Sequence, residues 1–261
     1  MKRILRSGRG TLVIAFDHAL VLGPIPGTLD PAGQIRRFIE AVPDAVLLNF
    51  GNFRYFAEAN CSAGLPGLIA RLDWTTAFNE SAKTAPQGFK TCLVAHPEEA
   101  LNAGADAVIT FLTIGSGDAE FERKEIERVG QLARDCEKVG IPFMVESIAR
   151  GAQVENPRDP EWLMLHTRIA AELGADAIKT ENASNTEALA TVIAACPVPI
   201  LVLGGSRTGS DEDVLDTVRG IIQAGAAGVF FGRNIFQADN MAELLKRVRS
   251  ALAGKVSAQG Q

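Results

Sequence analysis

The sequence predicts a single-domain α/β protein with the (β/α)8 (TIM) barrel fold, in which eight parallel strands alternate with helices. Residues 102–110, 172–180 and 223–231 repeat one pattern: the end of a helix, a glycine, and a short apolar strand. Eight such apolar runs occur along the chain, and strands that are apolar almost throughout need helices on their outer face. A chain of 261 residues also has the usual length for one such barrel.

Helix signals separate the predicted strands. In chain order the strands are TLVIAF, AVLLNF, LIARL, AVITFL, PFMVES, AIKT, ILVLG and GVFFG. Helix starts are indicated by Asp30-Pro31, by Asp159-Pro160 and by a capping box of Ser184 with Glu187. Apolar residues spaced by three and four, clearest in 214–222 and 241–252, give these helices one buried face. We therefore predict one domain over 1–252 and a flexible tail over 253–261.

The least regular region is 51–90. Its helix is short, and 78–89 is predicted to be a long loop over the barrel mouth, with the loop 73–90 setting substrate choice. A doubly wound sheet is the alternative fold. It is disfavoured because the glycine clusters lie near the end of the chain, whereas a dinucleotide-binding fingerprint would follow the first strand.

Composition excludes several classes of function. With 26 Lys and Arg against 31 Asp and Glu, the formal charge is −5, which disfavours nucleic-acid or anionic-membrane partners. The apolar runs are too short to cross a membrane, and the first one is interrupted too early for a signal peptide. The four cysteines are far apart, as expected of reduced thiols. We predict a cytoplasmic protein.

Lys179 is the first candidate for chemistry, because it alone among eight lysines falls clearly inside a core strand pattern, GADAIKTE. The working face of such a barrel lies at the C-terminal ends of its strands. A poorly solvated ammonium gives up its proton readily, and the neutral amine can attack a carbonyl to form a Schiff base. A structural ion pair with Asp17, Glu146 or Glu181 is the alternative.

Asp17 and Glu146 are the candidate proton-transfer residues, since each carboxylate ends or interrupts an apolar strand on the same face. The alternative is that they only balance the charges of Lys179 and Arg150. The three histidines are too scattered along the chain for a metal cluster, so we predict neither a metal nor a cofactor.

Two glycine-rich turns follow the last two strands, where such barrels usually bind phosphate. The first holds Gly204, Gly205 and Ser206, and the second holds Gly232 and Arg233. Glycines let backbone N–H groups approach phosphate oxygens, the start of the next helix favours negative charge, and a guanidinium can bind phosphate bidentately. The alternative is that these glycines only make tight turns.

The motifs taken together resemble the archaeal-type class I fructose-bisphosphate aldolases and their DeoC/LacD-like relatives, including the aminodideoxyheptulosonate synthases and the autoinducer-2 phosphate thiolase. The resemblance runs through AFDHAL, HPEEALNAGADAV, ESIARG, GADAIKT, LVLGGSRT and AGVFFGRNIFQ, in the family's order. It implies that Lys179 is the Schiff-base lysine, that Asp17 is the aspartate after the first strand, and that the two glycine turns hold a phosphate. It also implies a metal-free cytosolic homo-oligomer, a pentamer or decamer.

One segment departs from that family. Where the fructose-bisphosphate aldolases read Trp-Ser-Tyr-Pro-Arg-Gly, this chain has Glu146 at the tryptophan position and Ile148 at the position of the proton-transferring tyrosine. We therefore expect Glu146 to serve in proton transfer and a natural substrate other than fructose bisphosphate.

The resulting prediction is a metal-independent class I aldolase, a lyase that cleaves or forms a carbon–carbon bond in a small phosphorylated ketose or keto acid. Two alternatives stay open. One is a barrel isomerase or thiolase that binds a phosphorylated sugar without imine chemistry. The other is a non-catalytic sugar-phosphate-binding protein.

Overall fold

The predicted apolar runs form the strands of one closed barrel. A computed structural model describes residues 1–59, 64–78, 88–207 and 209–254. The barrel strands are β1 (Thr11–Phe16), β2 (Ala45–Asn49), β3 (Gly67–Arg71), β6 (Ala107–Ile114), β7 (Phe143–Ala149), β8 (Ala177–Thr180), β9 (Ile200–Leu203) and β10 (Gly228–Phe231). They pair in parallel in this order, and β10 returns to β1. The barrel prediction is confirmed.

Helices follow the barrel strands, and the longer ones begin at side-chain caps. They are α1 (His18–Leu22), α2 (Pro31–Glu40), α3 (Phe53–Ala57), α4 (Pro97–Asn102), α5 (Ala119–Val139), α6 (Pro160–Glu172), α7 (Thr186–Ala195), α8 (Asp211–Gln223), α9 (Arg233–Phe236) and α10 (Met241–Leu252), with a 3-10 turn at Phe50–Asn52. Asp30 and Asp159 cap α2 and α6 as predicted. None of the described helices has the length and apolarity needed to cross a bilayer.

The capping box predicted for α7 is wrong by one residue. Asn185, not Ser184, is the N-cap, and its side-chain oxygen accepts a hydrogen bond from the N–H of Ala188 at 2.8 Å. Asparagine caps helices as well as serine does, so two adjacent candidates compete and the sequence alone does not separate them.

The repeated glycine pattern has a structural cause at both of its positions. Gly104, Gly174 and Gly225 follow α4, α6 and α8 with φ values of 89°, 106° and 93°, a left-handed conformation that favours glycine. In the first two repeats the next aspartate caps the neighbouring strand: Asp106 accepts from the N–H of Leu68, and Asp176 from that of Phe143. Glycine ends the helix, and the aspartate fixes the start of the barrel.

The barrel interior is apolar over its lower and middle part. Its buried side chains include Val13, Leu47, Ile69, Ile109 and Phe230. Ile4, from the basic N-terminal segment, is fully buried against the same cluster and closes the N-terminal end of the barrel. A second apolar cluster lies between the strands and the surrounding helices. An open space inside the barrel is therefore left only towards the C-terminal ends of the described strands.

The predicted loop over 73–90 is partly wrong. Its first residues form strand β4 (Asp73–Thr75), which pairs antiparallel with β5 (Thr91–Leu93), directly after the segment, in a two-stranded ribbon. Each of these strands has only three residues, which is too short for an alternation of polar and apolar side chains to predict it. Residues 79–87, most of the predicted mouth loop, lie outside the described residues. The predicted tail begins just after α10, and its residues 255–261 also lie outside them.

Candidate active site

An open cavity of about 80 Å³ lies at the C-terminal ends of the strands. Among the residues predicted for the site, seven line it: Asp17, Glu146, Lys179, Gly204, Gly205, Gly232 and Arg233. Ser206, the eighth, is exposed and lies outside the lining. The prediction of its role as a phosphate ligand stays untested. Apolar side chains such as Phe78, Phe111 and Phe230 form much of the remaining wall.

Lys179 lies at the floor of this cavity and contacts Glu146. The two residues are register partners on β8 and β7, so the backbone pairing places their side chains side by side inside the barrel. Lys179 Nζ is 2.7 Å from Glu146 Oε1 and 4.8 Å from the centre of the Phe230 ring. Both side chains are nearly inaccessible, at 6% and 5% exposure. The ion pair considered as an alternative role for Lys179 therefore exists, and it stands beside an open cavity.

Asp17 takes a different partner from the one expected. Its Oδ2 accepts hydrogen bonds from Arg71 Nε at 2.9 Å and from Arg71 Nη2 at 2.8 Å. In the alternative that Asp17 only balances charge, the cation in direct contact is Arg71 rather than Lys179 or Arg150, since Arg150 is bound bidentately by Glu181. The second oxygen of Asp17 has only His18 Nδ1 near it in the described part of the chain, at 3.6 Å. Because Asp17 lines the cavity and this oxygen takes no part in the bonds to Arg71, it is available to a ligand.

Charges and burial act in opposite directions on Asp17. Burial alone would raise the pKa of Asp17, but the positive charges of Arg71 and Lys179 outweigh it and hold that pKa well below its ordinary value. Asp17 is therefore ionised at neutral pH. Burial lowers the pKa of the neighbouring His18 to about 4, with Lys179 and Arg233 adding to the effect, so His18 is neutral there.

The two glycine turns are tied together across the mouth. Asn234 Nδ2 donates to the carbonyl of Gly204 at 2.9 Å, and Arg207 Nη1 donates to the carbonyl of Asn234 at 2.7 Å. Arg233 faces the cavity, and its buried Nε lacks a hydrogen-bond partner within the described ranges. An unpaired buried donor is costly unless something accepts from it, so an anion is favoured here.

The helix start expected beside the first glycine turn does not serve this site. The first turn of α8 contains three acidic residues, and Ser210 and Asp213 form its capping box. Asp213 accepts from the N–H of Ser210 at 2.7 Å, so the terminus is satisfied by its own residues. Any anion in the cavity would meet Arg233 and the glycine backbone rather than this helix end.

Arg71 is the functional candidate that sequence reasoning gave no role. It is 1% exposed and interrupts the apolar strand LIARL, which is the same signal that singled out Lys179. Ile148, at the tyrosine position of the resembled family, is fully buried on β7 and lies outside the cavity lining. Glu146 is therefore the side chain of β7 that reaches the lysine.

A closed parallel barrel whose C-terminal mouth holds an amine, carboxylates and an arginine defines a barrel enzyme. A family model described as DeoC/LacD family aldolase matches residues 11–238. The chain belongs to this family and is an aldolase-type lyase. The resemblance read from the motifs is confirmed.

Similar proteins support this assignment. An uncharacterized aldolase of Saccharolobus solfataricus is 32% identical over 255 residues, covering 97% of this chain and 92% of the relative. The fructose-bisphosphate aldolase class 1 of Thermoproteus tenax is 33% identical over 241 residues, covering 90% and 86%. A 2-amino-4,5-dihydroxy-6-oxo-7-(phosphonooxy)heptanoate synthase of Streptomyces griseus is 32% identical over 228 residues, covering 87% and 78%.

Solved structures give the same result. An archaeal fructose-1,6-bisphosphate aldolase, with its catalytic lysine covalently bound to the carbinolamine intermediate of the substrate, superimposes with a TM-score of 0.84. The two chains are 28% identical, and the match covers 97% of each. A Schiff-base-forming fructose-1,6-bisphosphate aldolase, from a structural analysis of its reaction intermediates, superimposes with the same TM-score and is 30% identical to this chain.

Proposed function

We propose that this protein is a class I aldolase that forms a Schiff base between Lys179 and a small phosphorylated ketose or keto acid. The observation that carries the proposal is the position of Lys179 Nζ, buried at the cavity floor and 2.7 Å from Glu146 Oε1. An amine in contact with a carboxylate has a proton acceptor at hand, which nucleophilic attack on a carbonyl requires.

Glu146 is assigned to the steps at the lysine nitrogen. The ammonium passes a proton to Glu146 Oε1, and the free amine bonds to the carbonyl carbon to give a carbinolamine. Glu146 returns that proton to the carbinolamine hydroxyl, which leaves as water, and an iminium remains. These steps need a single group within hydrogen-bond reach of the nitrogen, and Glu146 is in that position.

Asp17 is assigned to the carbon–carbon bond. The bond next to the iminium breaks, its electron pair moves to the iminium nitrogen, and the proton of the substrate hydroxyl moves to Asp17 as an aldehyde forms. Asp17 is ionised at neutral pH and has one oxygen turned to the cavity, so it can accept that proton. Glu146 gave up its proton when the iminium formed, so the proton now on Asp17 passes to Glu146 and from Glu146 to the enamine carbon. Water then adds to the regenerated iminium and releases the second product and the Lys179 amine.

The phosphate is assigned to Arg233 and the glycine turns. Arg233 supplies a cavity-facing guanidinium with a free donor, and Gly204, Gly205 and Gly232 leave room for close approach to the backbone. Two of the relatives given above carry a phosphorylated carbonyl compound in their names, fructose bisphosphate in one and a 6-oxo-7-(phosphonooxy)heptanoate in the other, which supports the same class here. Because Ile148 replaces the tyrosine of the fructose-bisphosphate aldolases, a substrate other than fructose bisphosphate is proposed.

Borohydride reduction tests this function. The protein is incubated with a panel of ketose monophosphates, fructose 1,6-bisphosphate, dihydroxyacetone phosphate and α-keto acids, reduced, digested and measured by peptide mass. We expect a reduced adduct on the Lys179 peptide with at least one phosphorylated compound and none in Lys179→Met. Turnover of a phosphorylated sugar without any trappable adduct would favour the isomerase or thiolase alternative and would contradict an imine intermediate on Lys179.

A further inference from the structure

Arg71 lies beneath the cavity floor, where it does not line the cavity itself. It is the largest fully buried side chain of the described residues. A buried guanidinium must be matched by acceptors, because its hydration is lost. Its acceptors are therefore informative about what it does.

Two of those acceptors are the proposed proton-transfer carboxylates. Arg71 Nη2 donates to Asp17 Oδ2 at 2.8 Å and also to Glu146 Oε2. Because one nitrogen binds both oxygens, these two oxygens lie within about 6 Å of each other, twice a hydrogen-bond length. Two carboxylates this close in a buried site repel, and one of them ordinarily takes up a proton.

Arg71 itself is held from the opposite side. Its guanidinium carbon stacks 3.8 Å from the centre of the Phe111 ring, and its Nη1 is 3.4 Å from Asp73 Oδ1. Asp73 is fixed in turn by the Thr110 hydroxyl at 2.5 Å and by Arg128 Nη1 at 2.9 Å. The guanidinium is thus fixed in its plane and direction, so it can present its donors to the cavity carboxylates at defined positions.

We propose that Arg71 is a positioning residue: from beneath the cavity its guanidinium holds the carboxylates of Asp17 and Glu146 in place beside each other. The inference rests on the proposed Schiff-base function. Arg71 touches no reacting atom and acts through the two carboxylates. Each carboxylate gives one oxygen to Arg71 and keeps the other for chemistry, Glu146 Oε1 for the lysine and Asp17 Oδ1 for the substrate.

The charged and titratable groups around this network are few. They face it from β1 and α1, from β4, from β7 and β8, and from α5 through Asp73, and are Asp17, His18, Asp73, Glu146, Lys179 and Arg128. Asp73 already carries Arg128 as a second cation. Among the groups named here, removal of Arg71 therefore leaves Lys179 as the one cation that offsets the negative charges of Asp17 and Glu146.

The test is the pH profile of kcat/KM in Arg71→Met, with Arg128→Met as the matched control. Arg128, whose side chain is 13% exposed, binds Asp73 and Glu125 but neither cavity carboxylate. We expect Arg71→Met to lose roughly 10²–10³-fold in kcat/KM at neutral pH. Its acid limb should move to higher pH by roughly one to three units, because a carboxylate loses that much stabilisation without its arginine. Arg128→Met should keep the acid limb of the unmodified protein.

If Arg71→Met does not fold, Arg71→Lys tests whether Arg71 positions the two carboxylates. Lysine keeps the positive charge but lacks the planar fork that binds two carboxylates at once. We expect a loss of at least about 10-fold in kcat/KM with a smaller displacement of the acid limb. Unchanged kcat/KM and pH profile in Arg71→Lys, or equal acid-limb shifts in Arg71→Met and Arg128→Met, would overturn the proposal. Borohydride trapping on Lys179 in the unmodified protein reports separately on the Schiff base.

Discussion

The two ends of this barrel use the same strands for opposite purposes. At the N-terminal end the interior is closed by Ile4 and filled by apolar side chains such as Val13 and Leu47. At the C-terminal end the interior holds Arg71, Glu146 and Lys179 around an open cavity. A step of two residues along one strand, from Ile69 to Arg71, separates these environments.

Carboxylates occur at both ends, and their partners differ. At the N-terminal end, Asp44, Asp106 and Asp176 accept hydrogen bonds from backbone N–H groups, and Asp44 also binds Arg6 and Arg9. These carboxylates are tied to the backbone of the strands at the closed end of the barrel. At the other end, Asp17 and Glu146 each keep an oxygen beside the cavity or the lysine. Buried charge alone does not mark a functional site; a charge with a remaining partner position next to open space does.

Lys179→Met should produce the largest effect on turnover. It tests the C-terminal end of the barrel, where the cavity lies. Methionine keeps most of the side-chain volume but cannot form an imine, so turnover should fall to background while the fold is retained. Initial-rate assays and circular dichroism measure the two halves of this expectation. Appreciable residual turnover in a folded variant would contradict the assigned role.

Glu146→Gln should come next. Glutamine keeps the shape of the side chain but cannot take up or return a proton, so kcat should fall by roughly 10²–10⁴-fold. The control is Glu181→Gln, which removes a carboxylate that binds Arg150 and not Lys179. Equal losses in the two variants, measured as kcat, would show that Glu146 has no special part in proton transfer.

Arg233→Met should weaken binding of the phosphorylated substrate. Loss of a hydrogen bond to a charged group is worth about 1.5–3 kcal/mol. That corresponds to a rise of about 10- to 100-fold in KM. An analogue without the phosphate serves as the control, since its KM should be the same in both proteins. A phosphate-independent change in KM would place the anion elsewhere.

Leu47→Ala tests the N-terminal end of the barrel, which is closed and apolar. Leu47 is fully buried in the interior cluster, and truncation of such a side chain destabilises by about 2–5 kcal/mol. Because no cavity residue is changed, kcat/KM of the folded fraction should stay the same. Urea unfolding and active-site titration measure both quantities, and an altered kcat/KM per folded molecule would contradict the separation of the two ends.

The smallest expected effect concerns pH and stability. Burial lowers the pKa of His18 to about 4 and that of His166 to about 3, against 6.5 for a free imidazole. Between these values the unfolded chain takes up protons that the folded chain does not, so stability falls as pH drops below about 6.5. His166→Asn should flatten the decline of Tm between pH 7 and pH 5. A slope identical to that of the unmodified protein would assign the decline to other groups.

The sequence predicted the parts of the molecule that follow from local chemistry. Periodicity located the barrel strands, and glycines after helices located three junctions. Lys179 was singled out because a lysine interrupts an apolar strand, and β7–β8 pairing then placed it beside Glu146. Arg71 interrupts its strand in the same way, but its role depends on which carboxylates converge on it from β4, from β7 and from the start of α1.

Other features of the site lie beyond local sequence signals. The exposure of Ser206 depends on how the turn after β9 is tied to Asn234 and Arg207, which are contacts across two loops. Cap choice at α7 depends on two neighbouring candidates of equal strength. The β4–β5 ribbon pairs residues some 16 positions apart, as in Thr75 with Thr91, through strands too short to show a period.

The register of Glu146 with Lys179 has a consequence for timing. Acid and amine are delivered to each other by backbone pairing of adjacent strands, so their contact is in place before any ligand arrives. Preorganised groups need no rearrangement at the moment of reaction. An incoming carbonyl compound therefore finds the bond-making pair already assembled.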